Sequence, residues 1–88
     1  MNYKQLERIT RGYSNHRRIQ FLDTIARSPE LSVEEIATRL KINYKTAAEH
    51  IRRLAIAELI LKRNEGAAVR HKLSNRGVNV LKFLRTLE

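Results

Sequence analysis

The sequence predicts a mainly α-helical domain with about five helices and one two-stranded β-hairpin. Apolar residues recur at helical spacing along most of the chain, but between Leu59 and Leu73 two β-prone runs flank an Asn/Gly turn. The chain has 88 residues, of which 42% are hydrophobic, and a single Pro. These values are typical of one folded domain over residues 1–88, with a core small enough that pairing with a second copy would add buried area.

The first helix is predicted near the N-terminus. Tyr3, Leu6 and Ile9 form a short apolar stripe on one helical face. Gly12 is expected to end this helix, because glycine tolerates the left-handed conformation that follows a helix C-terminus.

A second helix is predicted to start after Ser14 or Asn15, either of which can act as its N-cap. It should stop before Ser28 and Pro29, because the residue preceding a proline is driven out of the helical region. Its expected core residues are Ile19, Phe21, Leu22, Ile25 and Ala26. Its first turn is basic, which opposes the helix dipole and indicates either phosphate contact or a solvated surface, through His16, Arg17 and Arg18.

The central stretch, from Leu31 to Leu61, predicts two helices joined by a tight turn. Ser32 and Glu35 have the spacing of a capping box, and Asn43 is placed to cap the second helix of the pair. The first helix has an apolar face of Val33, Ile36, Ala37 and Leu40, and the second has one of Ala47, His50, Ile51 and Leu54. The small residue Ala37 allows a steep crossing, which is the helix-turn-helix arrangement.

The hairpin is predicted from residues 59 to 73, with its turn at residues 64–67 and with Lys62, Arg63, Arg70, His71 and Lys72 decorating it. Ser74 is expected to cap a last helix, whose apolar residues are too many for one face: Val78, Val80, Leu81, Phe83, Leu84 and Leu87. We interpret this excess as a homodimer surface shared with the first helix, formed by Tyr3, Leu6, Ile9, Val80, Leu81, Leu84 and Leu87. The alternative is a last helix that only caps its own core.

The charge balance favours a polyanionic partner. Lys and Arg number 18 against 9 Asp and Glu, giving a formal net charge of +9. The alternative interpretation is a charged surface that only confers solubility, because net charge bears on association and not on fold.

Two motifs resemble those of winged helix-turn-helix DNA-binding regulators of the ArsR-like type. The spacing of Arg18, Phe21, Leu22 and Ile25 is similar to the family pattern Arg-x-x-Ile-Leu-x-x-Leu, and residues 73–77 match the pattern Leu-Ser-x-x-Gly at the entry to the last helix. The resemblance extends over almost the whole chain. It implies a winged helix-turn-helix fold and a homodimer that binds double-stranded DNA and regulates transcription, most simply as a repressor.

In such a protein the second helix of the central pair enters the major groove and the hairpin is the wing. The DNA-binding residues predicted here are Asn43, Tyr44, Lys45, Thr46, Ala48, Glu49 and Arg52 on the helix, and Lys62, Arg63, Arg70 and Lys72 on the wing. Lys45 can donate to guanine acceptors or to a phosphate, and Thr46 and Ala48 can contact a thymine methyl group. Glu49 can accept from a cytosine amine. Glu49 can equally repel phosphate, and Arg53 is either solvated or a phosphate contact.

The sequence departs from the family at two points. Ser and His often stand where this chain has Ala48 and Glu49, so a base preference cannot be carried over. Metal-sensing members use a Cys pair in the helix that here contains Ile36 and Ala37, and this chain has no Cys, which excludes thiolate metal sensing. His16, His50 and His71 lack metal-ligand spacing, which leaves a site of His and carboxylates at a dimer seam as the alternative metal site. His50 is expected to be a partly buried core residue.

Other functions are less well supported by the sequence. No nucleophile motif or phosphate-binding loop is present, so neither enzymatic activity nor a cofactor is expected. A winged helix that binds an acidic protein is the main alternative, and RNA binding is disfavoured because few aromatic residues are free to stack on bases. Residues 1–5 precede no apolar run and no stretch is long enough to span a membrane, so a cytoplasmic protein is expected.

Overall fold

The computed structural model describes residues 1–88 and contains five helices and one hairpin, as the sequence predicts. The helices are α1 (Tyr3–Tyr13), α2 (His16–Arg27), α3 (Val33–Leu40), α4 (Tyr44–Ile56) and α5 (Asn75–Arg85), and the strands are β1 (Ile60–Glu65) and β2 (Ala68–Leu73). No helix is both long enough and apolar enough to cross a membrane.

The predicted caps form where side-chain oxygens can satisfy free backbone amides. Ser32 accepts from the Glu35 amide and the Glu35 carboxylate accepts from the Ser32 amide, which completes the capping box of α3. Asn15 caps α2, whereas Ser14 is the C-cap of α1. Lys41 ends α3 in the left-handed region with a φ of 56°, and this makes the turn into α4 tight.

The core lies where α2, α3 and α4 meet the base of the hairpin. Its largest fully buried apolar side chains are Phe21, Leu22, Ile25, Ile36, Leu54 and Leu59. Ala26 was predicted to be a core residue, but it is exposed on the outer side of α2. Leu81 was predicted to lie in the dimer surface, but it is only 5% exposed and belongs to the protomer's own core.

Gly12 does not end α1, contrary to the prediction, because the helix continues through it to Tyr13. Gly12 is buried, and a Cβ atom built on it would collide with the Cβ of Ala57 at the end of α4. The residue is therefore a point of close packing between α1 and α4, and not a turn.

The basic first turn of α2 also has a structural role. The Arg18 guanidinium donates through Nη1 to the carbonyl oxygens of Arg11 and Gly12, at 3.2 Å each. These are free carbonyls at the C-terminus of α1, so Arg18 joins the two helices. Arg17 contacts Gln20 on its own helix.

The hairpin is antiparallel, with Ile60 opposite Leu73 and Lys62 opposite His71. Its turn is shorter than predicted, because the strands extend to Glu65 and Ala68 and leave only Gly66 and Ala67 between them. Gly66 has a φ of 60°, which glycine adopts without strain. Leu31 forms an isolated bridge to His71, so the segment before α3 is attached to the outer edge of β2.

We predict that Gly12→Ala destabilises the domain by about 1–3 kcal/mol, because the new methyl group overpacks the α1–α4 contact. In an open helical position the same substitution would stabilise by up to about 1 kcal/mol. Urea unfolding followed by circular dichroism measures the difference. Asn79→Ala, at an exposed position of α5, is the control for an unhindered helical site and should stabilise the domain by up to about 0.7 kcal/mol; a Gly12→Ala variant that is also stabilised would contradict the close packing.

Candidate nucleic-acid interface

The N-terminus of α4 is fixed by Asn43. Its side-chain oxygen accepts from the backbone amides of Lys45 at 2.7 Å and of Thr46 at 3.4 Å. The apolar side of the helix is buried through Ala47, Ile51 and Leu54. Because these residues recur at helical spacing, the opposite side of α4 is left in solvent.

The structure brings the predicted DNA-binding residues of α4 together on that solvent side. We call this surface the outer flank of α4, formed by Tyr44, Lys45, Thr46, Glu49 and Arg52, all of which are exposed. Asn43 is exposed at the start of the helix, and Ala48 is half-buried beside the flank. Tyr44 is 53% exposed, so it is not held against the turn. The Lys45 ammonium makes no ion pair in the structure.

Glu49 is committed to two arginines. Its carboxylate accepts from Arg52 Nε at 2.9 Å and Nη2 at 2.7 Å, and from Arg53 Nε at 3.0 Å. The hydrogen bonds from Arg52 and then Arg53 lower the pKa of the Glu49 carboxyl to about 2. The carboxylate therefore orients Arg52 on the outer flank, a positioning role that sequence reasoning missed although the i, i+3 and i, i+4 spacings are visible in the chain.

The wing divides the four predicted basic residues between its two faces. Lys62 is opposite His71, whereas Arg63 is opposite Arg70 on the other face, which Lys72 shares. Lys62 and Lys72 are exposed and make no ion pair. The predicted residues therefore lie on one hairpin, but not on one surface.

Both wing arginines are held by carboxylates. Arg63 contacts Glu30 at 2.9 Å and Glu65 at 3.1 Å, and Arg70 contacts Glu35 at 2.7 Å. These contacts link the wing to the entry of α3. Sequence reasoning missed Glu30 and Glu35 as anchors because they lie more than 30 positions from their partners, at separations of 33 and 35.

His71 does not decorate the hairpin surface, contrary to the prediction. It is 1% exposed, and its Nδ1 lies 2.8 Å from the Leu31 carbonyl oxygen. Burial lowers the pKa of this imidazole, which favours the neutral form. The signal was available in the sequence, because His71 shares a strand face with Leu73.

His50 is half-buried, as predicted, with its ring centroid 5.3 Å from that of Phe21 in an edge-on arrangement. Burial, followed by the charge of Arg18, lowers its pKa. No three His, Asp or Glu side chains lie close enough together to hold a metal ion.

Comparisons with known proteins agree with this geometry. One similar structure is a fragment of Mb0332 from Mycobacterium bovis, described as the homodimeric winged helix-turn-helix DNA-binding domain of a possible ArsR-family regulator. It superposes on this chain with a TM-score of 0.86 and 27% sequence identity. The superposition covers 96% of this chain and 78% of that one. The chain has the winged helix-turn-helix fold and is similar to ArsR-family regulators. HlyU from Vibrio cholerae, in its reduced form, is also similar to this ArsR-like domain, with a TM-score of 0.81 and 27% identity over 96% of this chain and 88% of that one.

A sequence relative is longer than this ArsR-like domain. The HTH-type transcriptional regulator Rv0324 of Mycobacterium tuberculosis is 32% identical over 74 residues, which are 84% of this chain. The match spans only 32% of that protein, so the two chains share a domain and not a whole protein. No family model matches the sequence.

We predict that the Glu49 carboxyl titrates at about pH 2 and that its pKa rises toward 4.5 in the Arg52→Gln/Arg53→Gln double variant, because the two hydrogen bonds that favour the carboxylate are then absent. Because the folded state lowers the pKa of Glu49, the contacts of its carboxylate with Arg52 and Arg53, here called the clamp, stabilise the fold fully above pH 4.5. This stabilisation is lost as the pH falls through about 2. Carboxyl-detected NMR titration follows the group. Arg39→Gln, on α3, is the control that should leave the Glu49 pKa unchanged; an equal rise in that variant would reject the clamp.

Proposed function

We propose that this domain binds double-stranded DNA as a homodimer and regulates transcription, acting as a repressor by occluding a promoter. A cytoplasmic location is part of the same proposal. In this proposal α4 enters the major groove, the outer flank meets base edges, and the wing meets the backbone. The protein is expected to need no cofactor for DNA binding.

The observation that carries the proposal is the one-sided burial of α4. Its inner side is sealed by Ala47 and Leu54, each 0% exposed, whereas Tyr44, Lys45 and Arg52 stand in solvent. A recognition helix needs this arrangement, because a helix can enter a groove about 12 Å wide only if one side of it is free of its own protein.

The charge of the exposed side chains supports a nucleic-acid partner. Lys45 on α4 and Lys62 and Lys72 on the wing have no acidic partner, within a chain of net charge +9. Unpaired ammonium groups can neutralise phosphates, and the counterions that they release favour binding.

Exposed apolar residues on α1 and α5 support the homodimer. Tyr3 and Leu6 on α1 are 78% and 43% exposed, and Leu87 beyond α5 is 66% exposed. The other predicted interface residues, Ile9, Val80 and Leu84, are half-buried. Leu81 is left out of the proposed interface, because it is buried in its own protomer. A two-fold axis would place the two α4 helices about 34 Å apart, which matches half-sites one DNA turn apart.

The relatives support both parts of the proposal. The Mycobacterium bovis domain is described as homodimeric and DNA-binding, and the Mycobacterium tuberculosis relative as a transcriptional regulator. We extend these properties to the present chain because it has the same fold and presents a free α4 flank with a basic wing.

Duplex DNA binding is expected to be strongly salt-dependent. With six to ten phosphate contacts, the affinity should fall by roughly 10³- to 10⁵-fold between about 50 and 200 mM salt. Fluorescence anisotropy with a labelled duplex of mixed sequence measures this. Lys45→Glu and Arg52→Glu should each weaken binding by about ten-fold or more, since each places a negative charge against the DNA.

Lys82→Glu is the matched control for these charge reversals, because it makes the same change at an exposed lysine of α5. It should retain most of the affinity. Affinity that is independent of salt, or equally weak in all three variants, would reject α4 as the recognition helix and favour the alternative of an acidic protein partner.

The dimer is expected to separate in the Leu6→Glu variant, because burying a carboxylate between two apolar surfaces is costly. Sedimentation velocity should show a dimer for the unmodified protein and a monomer for the variant. Leu61→Glu is the control, as Leu61 has similar exposure, 49% against 43%, but lies on the hairpin. A monomeric unmodified protein, or a dimer that survives Leu6→Glu, would contradict the interface.

A further inference from the structure

We propose that a cavity between α1 and the C-terminal end of α4 binds a small polyanion, a molecule that carries a phosphate or several carboxylates. The cavity has a volume of about 450 Å³, which lies within the range of roughly 300–1,000 Å³ that small-molecule sites occupy. Residues of α1, α2 and α4 line it, together with the turn after α4 and the start of α5. We call it the arginine cavity.

Its charged lining is almost entirely cationic. The charged residues around it are Arg8, Arg11, Arg18, Arg53, Arg76 and Glu58. Like charges around one concave space repel each other, and Glu58 is the one carboxylate in the lining. Guanidinium groups are also the side chains best suited to phosphate and carboxylate recognition, because each offers several donors in a planar fork.

Arg18 is held in a fixed position by the end of α1. Its Nη1 is bound to the carbonyl oxygens of Arg11 and Gly12, which fixes the side chain at the wall of the cavity. Its Nε is buried and has no hydrogen-bond partner. Because Nε is not accessible from the cavity, a ligand would meet Nη2 of Arg18, which forms no bond within the protein.

The other arginines retain donors for a ligand. Arg8 forms no ion pair, and the pair between Arg11 and Glu7 is long, 3.4 Å, and exposed. Arg76 is divided between the Glu58 carboxylate and the Ala57 carbonyl, both reached through Nη1. Arg53 is paired with Glu49, so Arg8 and Arg18 are the two lining arginines without a carboxylate partner.

A small molecule fits this site better than the DNA proposed for α4. The cavity lies beside Arg53 and Ile56 at the C-terminal end of α4, whereas the outer flank starts at its N-terminus. A concave site encloses a small ligand from several sides, and the phosphates of a duplex lie on a convex surface. We therefore assign the cavity to a free polyanion.

Isothermal titration with inorganic pyrophosphate tests the assignment, at constant ionic strength and without DNA. The unmodified protein should bind one pyrophosphate per protomer with a saturable curve. Arg8→Gln should weaken binding by about ten-fold, the loss expected when one charge-assisted contact is removed. Arg8 is exposed and makes no internal bond, so the variant should fold normally.

Lys4→Gln is the matched control, because it removes one positive charge from the same helix outside the cavity lining. Its affinity for pyrophosphate should stay within about two-fold of the unmodified protein. Absence of saturable binding, or equal weakening in Arg8→Gln and Lys4→Gln, would overturn the proposal.

A third outcome separates the two sources of phosphate. If pyrophosphate does not bind and Arg8→Gln instead weakens duplex binding, the cavity contacts the DNA backbone and the small-molecule assignment is wrong. Because the titration contains no DNA, its failure leaves the proposed DNA binding intact, and a failure of DNA binding leaves the cavity test unaffected.

Discussion

The burial of one side of α4 is the constraint on which the rest of the structure depends. This helix packs against four other elements, α1, α2, α3 and β1. Ala47, Ile51 and Leu54 supply the buried side, and the small Ala47 and Ala57 let neighbouring helices approach closely. The same packing that builds the core therefore determines which side of α4 remains in water.

Arginine and lysine have different functions on this surface. Seven of the nine acidic residues form ion pairs, and every basic partner is an arginine. Exposed pairs of this kind contribute little stability, about 0–1 kcal/mol each, but they fix the direction of the side chain. Arg63 and Arg70 thus attach the wing to the entry of α3, while Lys45, Lys62 and Lys72 keep mobile charges available. Carboxylates therefore compete with a nucleic acid for the wing arginines but not for the lysines.

Local chemistry in the sequence is sufficient to predict most of the fold and which side of α4 lies in solvent. The capping box at Ser32, the N-cap at Asn43 and the apolar periodicity each depend on residues within one or two helical turns, so they can be recognised without a structure. The roles of Gly12 and Leu81 depend on distant residues and could not be predicted, whereas the burial of His71 could have been inferred from Leu73 on the same strand face. Gly12 was expected to end a helix, and only the position of Ala57 shows that it is needed for close packing. The anchors Glu30 and Glu35 could not be predicted for the same reason.

Glu49 links the two basic surfaces, and this affects how each can be tested. Its carboxylate holds Arg52, which lies on the outer flank, and Arg53, which lines the arginine cavity. Substitution of Arg53 would leave the Glu49 carboxylate bound to Arg52 alone and would change the charge on the outer flank. A loss of DNA affinity in that variant would therefore not show which of the two surfaces was responsible. Arg8 lies on α1 and has no contact with Glu49, and Lys45 lies on α4 and does not line the cavity. These two positions separate small-anion binding from DNA binding, because each belongs to one surface alone.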